Sequence, residues 1–296
     1  MPVTYTPLRY PGGKNALAGF LREVIRANEL SFPNYVEPYC GGAGAALNLL
    51  FSETVSDIYL NDINSAVYAF WYLCLNEPDA LCRKVERVPV TVREWNRQRS
   101  ILLKKNPKRL LDLAFATLFL NRVNRSGILS GGLIGGRRQT GRWKMNARFN
   151  RKALIDKIRL IARYKTRIHV SNLDALTFLR QHVHRLSPQT FVYLDPPYVE
   201  KGHSLYENHY SIDDHRQIAG HLRTQLKHPW LISYDACAVI RRLYAGLFRL
   251  EYRINYSAHA HGTGREIIVF GPNMKVPAYR TPLDAPRSSV LTHLVR

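Results

Sequence analysis

The chain has 296 residues, a length that suits one large domain or a catalytic domain carrying a smaller insertion. Hydrophobic residues make up 46%, which excludes a disordered chain, and the net charge of +21 with an isoelectric point near 10.1 calls for a polyanionic partner, either nucleic acid or an anionic membrane surface. No run of about 18 apolar residues is present to span a bilayer, and residues 1–10 lack the apolar core of a secretion signal. The expected location is therefore the cytoplasm, with nucleic acid as the partner. Cys40, Cys74, Cys82 and Cys237 form no C-x-x-C pair and are expected to be free thiols. His259 and His261 have no cysteine or carboxylate at ligand spacing, so no metal is expected.

Residues 9–14 (RYPGGK) are an extended run entering a turn, without the G-x-x-x-x-G-K-[ST] pattern of a phosphate loop. Residues 35–38 read as a short strand, followed by the turn Cys40-Gly41-Gly42-Ala43-Gly44 and a helix over residues 45–51. Residues 58–60 form a second strand, closed by Asn61 and Asp62, and residues 65–76 a helix with Ser65 as its N-cap. Strand, glycine turn, helix, strand is a nucleotide-binding β/α unit. Residues 78–120 read as helices with basic outer faces, and residues 121–151 as a loop rich in Gly, Arg and Asn. Parallel-sheet character returns in strands at 167–170, 190–194, 230–233 and 267–270, with a helix over 213–227. The predicted fold is an α/β sheet with helices on both faces, its catalytic part split into 1–75 and 166–275. A mostly helical insert occupies 76–165, and a loosely held tail 276–296.

Gly42 and Gly44 let backbone approach a ligand where a helix begins. Asp62 follows Gly44 by eighteen residues, at the end of the next strand, where a doubly wound fold places an acceptor for ribose hydroxyls. This unit does not separate NAD from S-adenosylmethionine. Glu37 at the mouth of the turn suits a sulfonium and an α-ammonium better than a pyrophosphate, which favours a helix N-terminus free of carboxylates. On residues alone, Lys14 reads as a solvated side chain on a surface turn; a cofactor role would give Lys14 to a carboxylate and Tyr10 to the adenine or methionine end.

The sharpest signal is Asp195-Pro196-Pro197-Tyr198, directly after the apolar strand TFVYL. Ligands of open α/β sheets bind off the carboxyl ends of strands. Two prolines fix φ, lack N–H groups and leave carbonyls to accept. An exocyclic aromatic amine is a poor nucleophile because its lone pair is delocalised. Asp195 and the Pro196 carbonyl can both accept from its hydrogens, localising that lone pair for in-line attack on a sulfonium methyl. Tyr198 would offer a stacking face to a base taken out of a duplex.

Together these segments resemble the Dam-type (class alpha) DNA adenine N6-methyltransferases. RYPGGK is similar to the family's N-terminal cofactor motif, residues 36–44 (VEPYCGGAG) to its glycine turn and residues 61–64 (NDIN) to its ribose-acid motif. Asp195 to Tyr198 resembles its catalytic motif, and residues 231–234 (LISY) and 265–270 (REIIVF) its later strands. The resemblance implies a Rossmann-like methyltransferase sheet with an inserted DNA-recognition domain, and S-adenosyl-L-methionine as methyl donor. It assigns Tyr10, Lys14, Asp62 and Asp195 to that cofactor, and Asp174 to its adenine unless Asp174 caps a helix.

From Asp112 to Asp156 no acidic residue intervenes, while nine cations and six glycines occur, a composition suited to closing on phosphates. Asn121, Arg122, Arg125, Arg137, Arg138, Arg142 and Lys144 are the candidate DNA-binding residues, since Arg and Asn read G and A edges bidentately. The loop departs from that of GATC-specific members, so no recognition sequence follows, nor does a restriction partner. The alternatives are an RNA adenine methyltransferase and a non-catalytic DNA-binding module on the same fold. The basic insert favours duplex DNA over A-form RNA, whose major groove is inaccessible, and the intact Asp195 and Tyr198 favour an enzyme. The sequence sets no oligomeric state, a monomer being admissible.

Overall fold

The computed structural model describes residues 4–10, 14–199, 210–256, 262–278 and 282–284. Pro11 to Gly13 of the N-terminal motif, the His259/His261 pair and most of the 276–296 tail lie outside the described residues.

The chain builds one mixed sheet of seven strands: β1 (Asn34–Glu37), β2 (Ile58–Asn61), β3 (Ile168–Ser171), β4 (Thr190–Leu194), β5 (Trp230–Asp235), β6 (Arg249–Tyr256) and β7 (Gly262–Phe270). Their order is β3-β2-β1-β4-β5-β7-β6, with β7 antiparallel to both its neighbours and the remaining pairs parallel. Strand order reverses between β1 and β4, which pair in register Tyr35 to Phe191 and Val36 to Val192. This switch point opens a crevice at the carboxyl ends of the strands.

Successive strand residues point to opposite faces, and both faces here are apolar. Tyr35, Phe191, Tyr193, Leu231, Ile268 and Phe270 pack with α1 (Ala18–Ala27), α2 (Gly44–Phe51) and α3 (Ser65–Asn76). The alternate residues Val36, Val192, Leu194, Ile232, Ile267 and Val269 pack with α8 (Ala175–Gln181), α9 (Ile212–Thr224) and α10 (Ala238–Leu243). Continuous hydrophobic strands such as TFVYL are the signature of this two-sided burial.

Helices α4 (Pro78–Arg87), α5 (Val92–Lys104), α6 (Leu110–Val123) and α7 (Arg151–Arg163) make up the insert. Helix α6 is apolar almost all round because it packs against α3, α4 and α5 at once. The insert's buried residues thereby join those of α1 to α3 in one continuous core. Thr91 caps α5 and Asn150 caps α7. Residues 124–150 form a coiled loop pinned from within by Asn124, which is fully buried, accepts from Trp95 Nε1 at 2.8 Å and donates to the carbonyls of Ile128 and Leu129.

The sequence places β1 to β5 and helices α2, α3 and α9 to within a few residues; α1, α8 and α10 were not read from it, and of β7 only the last part. Asn64, not Ser65, caps α3, its side chain accepting from the Ala66 amide at 2.9 Å. The edge strand β6 (RLEYRINY) was not read from the sequence, although its polar–apolar alternation carries the two-residue period of a half-buried strand. The four cysteines are buried free thiols.

Candidate active site

The turn after β1 is shaped by its neighbours. Gly41 has φ +44°, and a Cβ there would lie 2.8 Å from the Tyr10 ring, so only glycine fits beneath that ring. Trp71 Nε1 donates to the Gly41 carbonyl at 2.9 Å. Asp62 accepts from the amides of Gly41 (3.0 Å) and Asn64 (2.9 Å), one on each carboxylate oxygen, fastening the glycine turn to the end of β2. Gly42 lies against the same face of Tyr10, and Gly44 opens α2 against Asn15. Glu37, at the end of β1, is buried and accepts from Tyr35 Oη at 2.9 Å. Burial pushes Glu37 up to about 8 despite that bond, with the charge of Asp195 adding to the rise. Burial also pushes Asp62 up to about 6, against the pull of its two amides.

One strand over, β4 delivers Asp195 beside this turn. Ser233 donates to Asp195 Oδ1 at 2.7 Å, and Ser233 in turn shares a hydrogen bond with Tyr193 Oη at 2.8 Å. Lys14 Nζ lies 3.4 Å from the same Oδ1. The Lys14 ammonium also donates to Tyr198 Oη at 2.7 Å and to both oxygens of Glu266, at 3.2 and 3.3 Å. Tyr198 Oη and Tyr252 Oη each donate to Glu266 at 2.5 Å. Burial raises the Asp195 pKa; Lys14 and Ser233 draw it back, and the Glu266 charge pushes it further up. For Lys14, burial pulls downward but the charges of Asp195 and Glu266 outweigh it, so the ammonium is held.

Several expectations change here. Lys14 is not a solvated surface side chain: it is 9% exposed and its charge is met by two protein carboxylates. Tyr198 presents no open stacking face, being 7% exposed with its hydroxyl committed to Glu266 and Lys14. Glu37 is partly protonated near neutral pH and not a full anion, since burial raises its pKa to about 8. Asp174 caps α8, accepting from the amides of Leu176 and Thr177 at 3.0 and 3.1 Å. Glu266 was missed by sequence reasoning. The available signal was an acid inside the apolar run EIIVF: a carboxylate in an inner strand must be matched by buried donors.

In the insert, Asn121 faces inward and its side chain is committed to backbone groups. It is 1% exposed, accepts from the Arg9 amide at 2.6 Å, and donates to the carbonyls of Arg9 (2.7 Å) and Gly127 (2.8 Å). Gly127 has φ +78° and a Cβ there would meet the Arg9 carbonyl at 2.3 Å, which explains its glycine. Arg122 is half-buried and clips two carbonyls, those of Arg148 and Pro7. Arg125, Arg137, Arg138, Arg142 and Lys144 are exposed. Arg137 lies over the Trp95 ring together with Arg99, Arg142 over Trp143, and Lys144 donates to the Gln139 carbonyl.

The crevice therefore combines a glycine turn, strand-end carboxylates and a D-P-P-Y corner, under a strand order that reverses between the two. Residues 10–258 match the model of the D12 class N6 adenine-specific DNA methyltransferases. No curated protein matches the chain. Among solved structures, the rRNA methyltransferase aviRa from Streptomyces viridochromogenes is similar over 83% of this chain and 80% of its own, at 14% identity and a TM-score of 0.34. So distant a likeness adds nothing to the chemistry read above. The family match spans most of the chain and includes both the glycine turn and the D-P-P-Y corner, and the protein belongs to the D12 class N6 adenine-specific DNA methyltransferases.

Proposed function

We propose that the chain transfers a methyl group from S-adenosyl-L-methionine to the N6 amine of an adenine extruded from duplex DNA, at a specific sequence, in the crevice between β1 and β4. The observation that carries this reading is Asp195, half-buried at the switch point, 3.4 Å from a buried lysine and adjacent to the glycine turn.

The residues fit a cationic nucleoside. Glu37 and Asp62 are held above the usual carboxylate range by burial, and their partners are hydroxyl and amide donors, with no cation. A ligand bearing an ammonium and a sulfonium supplies the missing charge. Tyr10 covers the turn on which the adenosine would rest. When bound, the donor provides an electrophilic methyl group. Asp195 accepts one N6 hydrogen, and the Pro196 carbonyl accepts the other. Together they localise the nitrogen lone pair and stabilise the positive charge that develops on it. Ser233 fixes the Asp195 carboxylate; Lys14 and Glu266 hold Tyr198, and through it the rigid corner. Two acidic side chains, Asp195 and Glu266, thus face one Lys14 where the cationic reaction centre would form.

Residues 76–165 serve as the target-recognition unit in this reading. They carry 23 of the basic and 6 of the acidic residues, most of the whole chain's excess charge. Among the described residues no helix is long and apolar enough to cross a membrane, and no cluster of metal-binding side chains occurs. Transfer of tritiated methyl groups from S-adenosyl-L-methionine to duplex DNA and to structured RNA tests the proposal. Label is expected in DNA adenine, and Asp195→Ala is expected to lower turnover by about two orders of magnitude while DNA binding persists. Full activity of that variant, or a preference for RNA, would overturn it.

A further inference from the structure

Four cations converge at the seam between the N-terminal segment and the helical insert. Arg122 of α6 donates through Nε to the Arg148 carbonyl at 2.7 Å and through Nη1 to the Pro7 carbonyl at 3.4 Å. Lys157 of α7 donates to the Thr6 carbonyl at 3.2 Å. Arg9, two residues beyond Pro7, donates to the Asn124 carbonyl and is fixed through its backbone to Asn121. Arg148 closes the recognition loop from the exposed side. Arg122 and Lys157 thus grip the backbone at Pro7 and Thr6, Arg9 reaches the Asn124 carbonyl, and the Arg148 charge acts on both Arg9 and Arg122; the acceptors these side chains meet are neutral carbonyls.

Among the described residues no acid pairs with any of the four. The sequence holds none between Asp112 and Asp156. Asp112 is paired with Lys84 and Arg109, and Asp156 with Lys152. Repulsion within the cluster is visible in its ionisation. Burial, then the charges of Arg9 and Arg148, lower Arg122 to about 10. Burial, then Arg122, lower Lys157 to about 8. Burial and Arg148 lower Arg9 as well. Like charges held together with no counter-charge destabilise the free protein unless a mobile anion completes the set. A guanidinium has five N–H donors, of which these carbonyls use few.

We propose that Arg9, Arg122, Arg148 and Lys157 form a seat for one backbone phosphodiester of the DNA duplex. This rests on DNA being the substrate. Residue 9 leads directly to Tyr10 and Lys14, so a phosphate seated here clamps the segment that covers the glycine turn and reaches Asp195 against the unit that reads the target.

Two measurements on the full chain test the seat. The first is acetylation at pH 8, read by peptide mass spectrometry. Lys157, its amine half-neutral there, reacts ahead of the exposed Lys227, and duplex DNA protects Lys157 several-fold while Lys227 is unchanged. The second is the salt dependence of DNA affinity. Lys157→Gln keeps a donor for the Thr6 carbonyl, and Arg148→Gln changes an exposed side chain. Each is expected to reduce the slope of log Kd against log salt by about 1, and the double variant by no more than either alone, because both meet one phosphate. Lys157 that stays reactive under bound DNA, or slopes that do not change, would sink the seat while leaving methyl transfer to DNA intact. Protection by inorganic phosphate but not by duplex DNA would also overturn it, since the seat would then belong to a free anion. Failure of the whole chain to bind DNA would remove both the seat and the proposed function.

Discussion

At the scale of the residue, Lys14 and Glu266 pull the ionisation of Asp195 in opposite directions. Lys14 lowers its pKa and Glu266 raises it. Asp195 must be ionised to accept from the amine, so activity falls as pH drops through its pKa. Glu266→Gln removes a negative neighbour and is expected to move the acid limb of the kcat profile to lower pH, with a fall in kcat of about one to two orders of magnitude from the loosened Tyr198 corner. Lys14→Met removes the positive neighbour and moves the limb to higher pH. A purely structural lesion would not produce shifts of opposite sign; equal shifts would refute the electrostatic account. The groups facing Asp195 from the packed elements include Lys14, Tyr35, Glu37, Tyr193, Ser233 and Glu266, so Glu37 must be held constant in these comparisons.

Glu37 and Asp62 yield a second expectation. With pKa values of about 8 and about 6 in the free protein, both are partly protonated near neutral pH. On the proposed contacts, a cationic cofactor binds the carboxylate forms. Its binding therefore releases protons below about pH 8, and affinity rises with pH until Glu37 is fully ionised. Calorimetry of S-adenosyl-L-methionine binding in buffers of different ionisation enthalpy reads the release directly; Glu37→Gln should diminish it. A buffer-independent heat would contradict the assignment.

At the scale of the element, α6 does more than fill the insert. Its last turn carries Asn121, which binds both the amide and the carbonyl of Arg9 as a neighbouring strand would. The segment leading to Lys14 is thus secured by a helix side chain, and Gly127 is required because the loop passes so close. Replacing Asn121 by Leu leaves the Arg9 amide and carbonyl without partners in a buried place. It is expected to cost about 3 kcal/mol of stability, read from denaturant unfolding, and to weaken cofactor binding through Tyr10. Unchanged stability would mean that water or relaxed backbone replaces those bonds.

At the scale of the whole molecule, positive charge is segregated into the insert, while the sheet's crevice holds the acids Glu37, Asp62, Asp195 and Glu266, the last two against one lysine. The insert can attract a polyanion as the crevice attracts a cation. Replacing Arg137, Arg138 and Arg142 together by Gln is expected to flatten the salt dependence of DNA affinity while leaving S-adenosyl-L-methionine binding unchanged. Loss of cofactor affinity in that variant would show that the two charge regions are not separate.

The inner strands, the glycine turn and the place of Asp195 were legible in the sequence because each is written in neighbouring residues (an apolar strand, glycines at its end, prolines that fix φ), and the polyanionic partner in the net charge of +21. RYPGGK was legible as a turn, but not where Lys14 ends. Only the tertiary structure decided that Lys14 is buried, that Glu266, some 250 residues away along the chain, meets it, and that Asn121 faces inward while Arg9 and Lys157 join Arg122. Such pairings depend on which strands and helices become neighbours. A charge is forced into the interior only where the fold brings up the matching charge or donor, and that match has no local trace in the chain.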